Sequence, residues 1–574
     1  MEVTKENFKE VLPSVLEAIG KADFVAIDAE FTGLRHYKTS SYCELDTAEE
    51  RYAKSREAAR SFGMIQFGVT AFRYMREKSA YSHATFCFYL LGKTGEILYY
   101  DNCSLKFLAD CGFDFNKLYK SGLSYLSLLE EAEERAEYAN HSLEPQTPSP
   151  IKVAEESAKK FLEEVEAKMK LLMADESQQV LVLPGNNISP FFRKILYNNI
   201  AAKFKNILVR LVTTNDEKNI EIRKFESPES RIKFLEEERE RKLDEKIGFT
   251  HVIRKILETK KPVVGHNLVL DLFHMMEKMV QPLPEKWEQF KNVFKCNVPT
   301  VYDTKLIAKD PPFCVDIPFT SLGNLFSELC SKFSPPQFVI ENGYKSYKIG
   351  TNSKAHDAGY DAFMTGVCFI AMIKKLDGAN WKNKSVVTSK HLVMYANRVN
   401  NMSSYDIPFL NLVGPDVQPD RSQIFCVECP STWSAMHVHG LFHMIKPLKI
   451  VWVNSTFLYV IPLEEMDKKS CRLHLKNILA SCPPLVHVKL YGDALNSKRK
   501  SVSDEVVSGV ETRASRIHEF KRLKSVGSDQ LSKMSLESPS AEEAPSIIGG
   551  SNGKRAPSKQ DVKGEDVFSI PDEW

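Results

Sequence analysis

The sequence predicts an α/β protein that carries smaller α/β and α+β units, and three observations lead to that class. Runs rich in β-branched and aromatic residues alternate with amphipathic stretches at the start of the chain and again after residue 247. A run of Ser, Pro, Thr and Gln at residues 140–150 separates these two regions from a different pattern between them. Residues 420–493 then read β-α-β-β-α-β, a split βαβ arrangement, before the composition turns to Ser, Lys, Glu, Gly and Pro.

A chain of 574 residues has the length for two to four domains with sizeable cores. Hydrophobic content of 43% with 26% charged residues excludes a wholly disordered chain. The formal net charge of +2 excludes polyanion binding through a global field, so a nucleic-acid surface has to be a local patch. The opening Met1-Glu2-Val3-Thr4-Lys5-Glu6 carries acids and no apolar run, unlike a secretory signal. No apolar stretch approaches the ~20 residues of a spanning helix. Twelve scattered cysteines make no dense disulfide framework, and the expected setting is reduced, cytosolic or nuclear.

Taken in order, residues 1–20 form an amphipathic helix through Phe8, Leu12, Val15, Leu16 and Ile19, with Gly20 as its expected stop. The strand at residues 22–33 follows. Alternation puts Val25, Ile27, Ala29 and Phe31 on one face and points Asp28 and Glu30 together from the other. Two like charges this close raise each other's pKa, and their hard oxygens suit Mg²⁺ or Mn²⁺; the competing reading is an edge strand whose outer face is wet. Residues 47–62 read as a helix, and 64–69 and 85–90 as strands.

Beyond the linker, residues 155–173 and 191–204 read as helices, with strands at 180–183, 206–213 and 219–225. Arg193, Lys194, Lys203, Lys205 and Arg210 make this unit locally basic, either as a solvated face or as phosphate contacts. Glu, Arg and Lys at i,i+4 distances make 231–246 an exposed connecting helix.

Residues 262–267 form a buried strand that ends in a turn, with Asn267 as the N-cap of a helix buried along Leu268, Leu272, Met275, Met276 and Met279. Asp271 in its opening turns either complements the helix dipole or serves a site at the strand end. A further helix spans 354–376, packing Phe363, Val367, Ile370 and Ile373 inward. His356 and Asp361, five apart, converge only if His356 sits on the loop before it.

In the last unit, strands at 424–427, 448–453, 456–461 and 486–491 enclose helices at 433–445 and 466–479. The third strand lacks the Lys/Arg-Gly-Phe start of RNA recognition modules, and Trp452 reads either as core or as a base-stacking platform. Cys426, Cys429, His437, His439 and His443 are spaced too closely for a common zinc finger. Beyond Tyr491 a disordered tail is expected, with Lys498-Arg499-Lys500 and Lys521-Arg522-Leu523-Lys524 as import signals or solvated charge.

Asp28-x-Glu30, Gly265-His266-Asn267-x-x-x-Asp271 and His356-x-x-x-x-Asp361 together resemble the three exonuclease motifs of the DEDD superfamily in its His-containing branch. Ala26 to Phe31, Val263 to Asn267, Asp303-Thr304-Lys305-Leu306, His356 to Ala362 and the ending Pro571-Asp572-Glu573-Trp574 are more closely similar to the poly(A)-specific ribonuclease family. The resemblance implies an RNase H-like exonuclease core, a mixed sheet flanked by helices. Its two segments, 1–145 and 247–410, flank an inserted single-strand nucleic-acid-binding domain at 152–246. An RRM-like domain at 420–493 and a tail at 494–574 complete it. In that inserted class an Arg is followed four residues later by His, where this chain has Arg193 and Tyr197.

By the same resemblance Asp28, Glu30, Asp271 and Asp361 hold two Mg²⁺ ions, with Mn²⁺ as a substitute, and His356 is the general base. Phe31, Asn267 and Lys305 contact the adenosine substrate, and Trp452 stacks on a 5′ 7-methylguanosine cap. The implied function is 3′-to-5′ deadenylation of single-stranded RNA with a 3′ poly(A) tail, in mRNA decay, by a homodimer of nucleus and cytoplasm that uses no membrane. Two alternatives stay open: a trimmer of small-RNA precursor 3′ ends, and a catalytically silent RNA-binding protein.

Overall fold

The computed structural model describes residues 1–494 except 37–40, 94, 141–148, 186–187, 205, 215–216, 334–336, 340–355 and 379–383. Most of the expected linker and the tail with its basic clusters therefore lie outside the described residues. The first segment supplies strands Glu2–Val3 (β1), Phe24–Phe31 (β2), Met64–Met75 (β3) and Ala80–Tyr89 (β4). β3 and β4 outrun the apolar runs that announced them because their polar residues pair with each other inside the protein: the Thr70 and Thr85 hydroxyls meet at 3.0 Å. The first helix, Phe8–Lys21, passes through Gly20, since the chain leaves the helix only where Ala22 turns extended on entering β2.

The chain then builds a small antiparallel sheet from Val180–Pro184 (β5), Ile207–Thr214 (β6) and Glu217–Lys224 (β7), in the order β5-β7-β6. Helices Glu156–Ala174 and Pro190–Lys203 share its core through Leu162, Val165, Leu196 and Ile200. The basic residues here are partly neutralised from within. Lys203 pairs with Glu166, and Arg210 bridges Glu221 and Glu238 of the helix Pro228–Ile247. Arg210 and Arg223 lie over the Phe234 ring of the same helix at 5.5 and 4.8 Å. Lys203 and Arg210 thus have acidic partners within the protein, and Lys205 is not among the described residues.

The second segment returns to the first sheet with Val263–Gly265 (β8), Val301–Asp303 (β9), Phe338–Val339 (β10), Arg398–Asn400 (β11) and Phe409–Asn411 (β12). Strand order is β1-β4-β3-β2-β8-β9-β11-β12, with β10 also on β4. β2 is the hinge of this mixed sheet: antiparallel to β3 on one side and parallel to β8 on the other. A strand paired on both sides is no wet edge, so solvent does not account for Asp28 and Glu30. Val25, Ile27, Ala29 and Phe31 enter one core, with Val15, Ile19, Val252 and Ile256. Phe24 and Ala26 enter the other, against the helix Ala358–Asp377 through Phe363, Val367 and Ile370. Asp28 and Glu30 continue this second face.

Among the described residues, a separate unit comprises Cys43–Leu45 and the chain from Gln418 to 494. Its strands Phe425–Glu428 (β13), Leu448–Asn454 (β14), Phe457–Pro462 (β15) and His487–Leu490 (β16) form an antiparallel sheet in the order β14-β15-β13-β16. Helices Ala435–Leu441 and Lys468–Ser481 cover one face over Phe425, Val427, Leu458 and Val460. On the other face Val451 and Ile461 pack against Cys43 and Leu45.

Candidate active site

Two glycine and amide positions that carry no charge bring the acids together. On β3, Gly68 lies opposite Asp28 and Gln66 opposite Glu30. A Cβ on Gly68 would stand 1.8 Å from the carbonyl oxygen of Ala358, so only glycine lets the start of the Ala358–Asp377 helix settle on the sheet there. Gln66 Oε1 accepts the Ala358 N–H at 2.9 Å and fixes the same contact. Asp357 caps the helix by accepting the Tyr360 N–H at 3.1 Å, and Asp361 falls in its first turn beside Asp28 and Glu30. His356 sits just before the helix with φ +65°, and its N–H donates to Asp361 Oδ2 at 3.2 Å. Its imidazole packs edge-on against Phe107, ring centroids 4.6 Å apart.

The fourth acid arrives through Asp303, a fully buried carboxylate at the end of β9. Asp303 accepts the backbone N–H groups of Asn267 and Lys305 at 2.9 Å, of Leu268 at 3.1 Å and of Asn400 at 2.9 Å. This corrects the reading of Asn267 as an N-cap. Asn267 is left-handed, with φ +61°, the N-cap is Leu268 with no side-chain cap, and Asp303 supplies the acceptors that a capping side chain would have supplied. The helix Val269–Met275 starts there and carries Asp271 in its first turn, near the backbone of Ala29 in β2.

Glu30, Asp271 and Asp361 are buried and Asp28 is half-buried. Burial first, then the charges of Asp361 and Asp271, push Asp28 and Glu30 well above the usual carboxylate range. Burial raises Asp271 to about 7 and, with Asp357 adding to it, Asp361 to about 8. His356 is held below its ordinary value by burial. Ligand atoms of Glu30, His356 and Asp361 lie within 4.8 Å of one another. Asp361 Oδ1 is buried without a hydrogen-bond partner among the described residues. Clustered hard oxygens with an orphaned carboxylate atom fit a divalent cation, which relieves the repulsion that burial and proximity create.

A stability measurement follows from the sign of these shifts. Groups whose folded pKa lies above the unfolded value stabilise the fold while protonated and lose that contribution as pH rises through the folded pKa. The metal-free protein is therefore expected to melt at progressively lower temperature between about pH 4 and pH 8, the window set by unfolded carboxylates and by Asp271 and Asp361. Mg²⁺ should raise the melting temperature more at pH 8 than at pH 6. An equal shift at both values would mean that the cation binds elsewhere.

The remaining residues singled out in the sequence lie as follows. Phe31 ends β2, past an irregularity in the β2–β3 register after Glu30, with its ring 4.2 Å from that of His274. Lys305 is buried beside Asp303, and Asn267 is half-buried in the turn that follows β8. Trp452, in the separate unit, is 37% exposed on β14 and so is not core. Sequence reasoning missed Gln66, Gly68, Phe107 and Asn400. Of these only Gly68 carried a signal, a glycine inside a strand run, which marks close approach of another backbone.

A family model described as CAF1 family ribonuclease matches residues 3–369. The chain belongs to the CAF1 ribonuclease family. The match covers β2, the helix Val269–Met275 and most of the Ala358–Asp377 helix, the elements that carry all four acids. Among curated relatives, poly(A)-specific ribonuclease PARN of Danio rerio is 35% identical, over 87% of this chain and 78% of that protein. PARN of Homo sapiens is 34% identical, over 80% and 76%. The pre-piRNA 3′-exonuclease trimmer of Bombyx mori is 28% identical, over 75% and 82%. The expected enzyme class, a ribonuclease and hence a hydrolase, is thereby established, and with the donor set above this CAF1-family enzyme is metal-dependent. The resemblance to DEDD nucleases and to poly(A)-specific ribonucleases holds over most of the chain.

Proposed function

We propose that the chain is a poly(A)-specific 3′-to-5′ exoribonuclease that releases 5′-AMP from the 3′ end of single-stranded RNA, with Asp28, Glu30, Asp271 and Asp361 as metal ligands and His356 as general base. The observation that carries this reading is the convergence of four carboxyls and one imidazole, from three remote stretches, on one face of β2. Two divalent ions, Mg²⁺ or Mn²⁺, would supply positive charge to the attacking and leaving oxygens. His356, kept neutral by burial, takes a proton from the attacking water. The new bond joins that water oxygen to phosphorus, the bond from phosphorus to the 3′ oxygen breaks, and the shortened RNA leaves with a 3′ hydroxyl. Asn267 and Lys305, gathered by Asp303, and Phe31 contact the terminal adenosines. Trp452 stacks on the 5′ cap, for which its exposed ring is suited. The active form is a homodimer working in nucleus and cytoplasm in mRNA decay. Relatives named poly(A)-specific ribonuclease PARN support the poly(A)-specific ribonuclease activity alone.

The test is purified protein with Mg²⁺ and three labelled substrates, 3′ oligo(A), 3′ oligo(U) and 3′-blocked oligo(A), each with and without a cap. Rapid AMP release from unblocked oligo(A) alone is expected, together with a loss of about 10² to 10⁴ in rate for His356→Ala. Equal decay of A and U would replace this reading with a general 3′ trimmer.

A further inference from the structure

The side chain of Asn267 is held by a chain of hydrogen bonds whose direction follows from chemistry. Lys309 Nζ lies 2.6 Å from Asn400 Oδ1. An ammonium only donates, so the Asn400 atom that faces it is the carbonyl oxygen and its NH₂ points the other way. That NH₂ meets Asn267 at 2.9 Å, and the Asn267 atom receiving it has to be its own carbonyl oxygen, Oδ1. The Asn267 amide is thereby left with Nδ2 outward. One of its two hydrogens reaches the thioether of Met402, a weak acceptor at 3.5 Å, and the second has no protein acceptor among the described residues.

The backbone is pinned as tightly as the amides. Asn400, fully buried, ends β11, and Asn267 ends the turn after β8; their N–H groups bind the two oxygens of the Asp303 carboxylate, each at 2.9 Å. Asn267 stands four residues before Asp271, one of the clustered acids, and is half-buried.

We propose that Lys309 and Asn400 are positioning residues that lock Asn267 as a hydrogen-bond donor toward the terminal nucleotide, so that the site selects an acceptor there: a ring nitrogen of adenine or a ribose oxygen. The inference rests on the deadenylase reading. Without the lock, Asn267 would offer donor or acceptor alike and would discriminate neither.

The lock is reversible by design of two independent variants. Asn400→Asp still receives Lys309 but offers Asn267 only lone pairs, so the Asn267 amide turns over and presents its carbonyl. Lys309→Glu does the same from the far end, because Glu accepts the Asn400 NH₂ and turns the Asn400 carbonyl toward Asn267. Steady-state kinetics of the full chain with Mg²⁺ on oligo(A) should show KM raised about tenfold in either variant, with kcat within about threefold. Lys309→Arg, still donor-only, should keep KM close to wild type. In an Asn267→Ala background Asn400→Asp should add nothing. Oligo(A) ending in 1-deaza-, 3-deaza- or 7-deazaadenosine, or in 2′-deoxyadenosine, identifies the acceptor: the analogue that lacks it has the same KM with wild type and with Asn400→Asp. An unchanged KM in both variants, or an Asn400→Asp effect that persists without Asn267, overturns the lock while deadenylation stands. A wild-type protein inactive on oligo(A) overturns the deadenylase reading itself.

Discussion

Asp361→Asn is expected to lower exonuclease turnover by at least about 1,000-fold and, in the absence of metal, to raise the melting temperature at pH 8.5. The two effects have one cause. Asp361 is buried against Asp28 and Glu30, and with Asp357 adding to burial its carboxyl is pushed up to about 8. Above that pH the folded protein carries a charge that its surroundings disfavour, and a neutral amide of the same shape removes it. Below about pH 4 the acid is protonated in folded and unfolded chains alike, so the variant should match the wild type there. The amide oxygen can still accept the His356 N–H, which leaves the loop in place. The rise in melting temperature produced by Mg²⁺ should shrink, because an orphaned carboxylate oxygen no longer awaits the ion. Loss of activity accompanied by loss of stability at every pH would instead mean that Asp361 is structural.

Gly68→Ala should cost about 10²-fold in rate and destabilise the protein by about 1–3 kcal/mol. The added methyl would meet Ala358 O at 1.8 Å, Ala358 C at 2.2 Å and Gly359 N at 2.7 Å, all of them backbone atoms that no rotamer change can move. The start of the Ala358–Asp377 helix has to lift from β3, which stretches the Gln66–Ala358 bond and draws Asp361 away from Asp28 and Glu30. Strand propensity argues the other way, since glycine weakens a strand relative to alanine. Thermal melting and single-turnover kinetics together decide it: a variant as stable and active as wild type would show that the helix has slack.

Much of the fold was legible because burial writes its period into the chain. The alternation at Phe24–Phe31, the capped Ala48–Ser61 and the long apolar run of Ala358–Asp377, buried all round, each announce an element within a window of a few residues. The acids and His356 were legible because carboxylates are costly in apolar strands and helix starts, so their presence there asks for a reason. Less was legible where the reason lay across the sheet. Asn267 looked like an N-cap because the local sequence offers no other acceptor, and the true one, Asp303, comes 36 residues later in the neighbouring strand. The acidic partners of the basic unit were not legible, because Glu166, Glu221 and Glu238 are far from Lys203 or Arg210 in sequence.

By itself the sequence determined which side chains carry charge into the interior and which segments become strands and helices, since both depend on neighbours along the chain. Tertiary structure alone decided that β2 has partners on both sides, that Gly68 and Gln66 seat the helix bearing Asp361, and that Lys309 and Asn400 fix which way Asn267 faces. Those are close contacts between residues far apart in the chain, set by backbone approach and hydrogen-bond direction, and no local pattern encodes either.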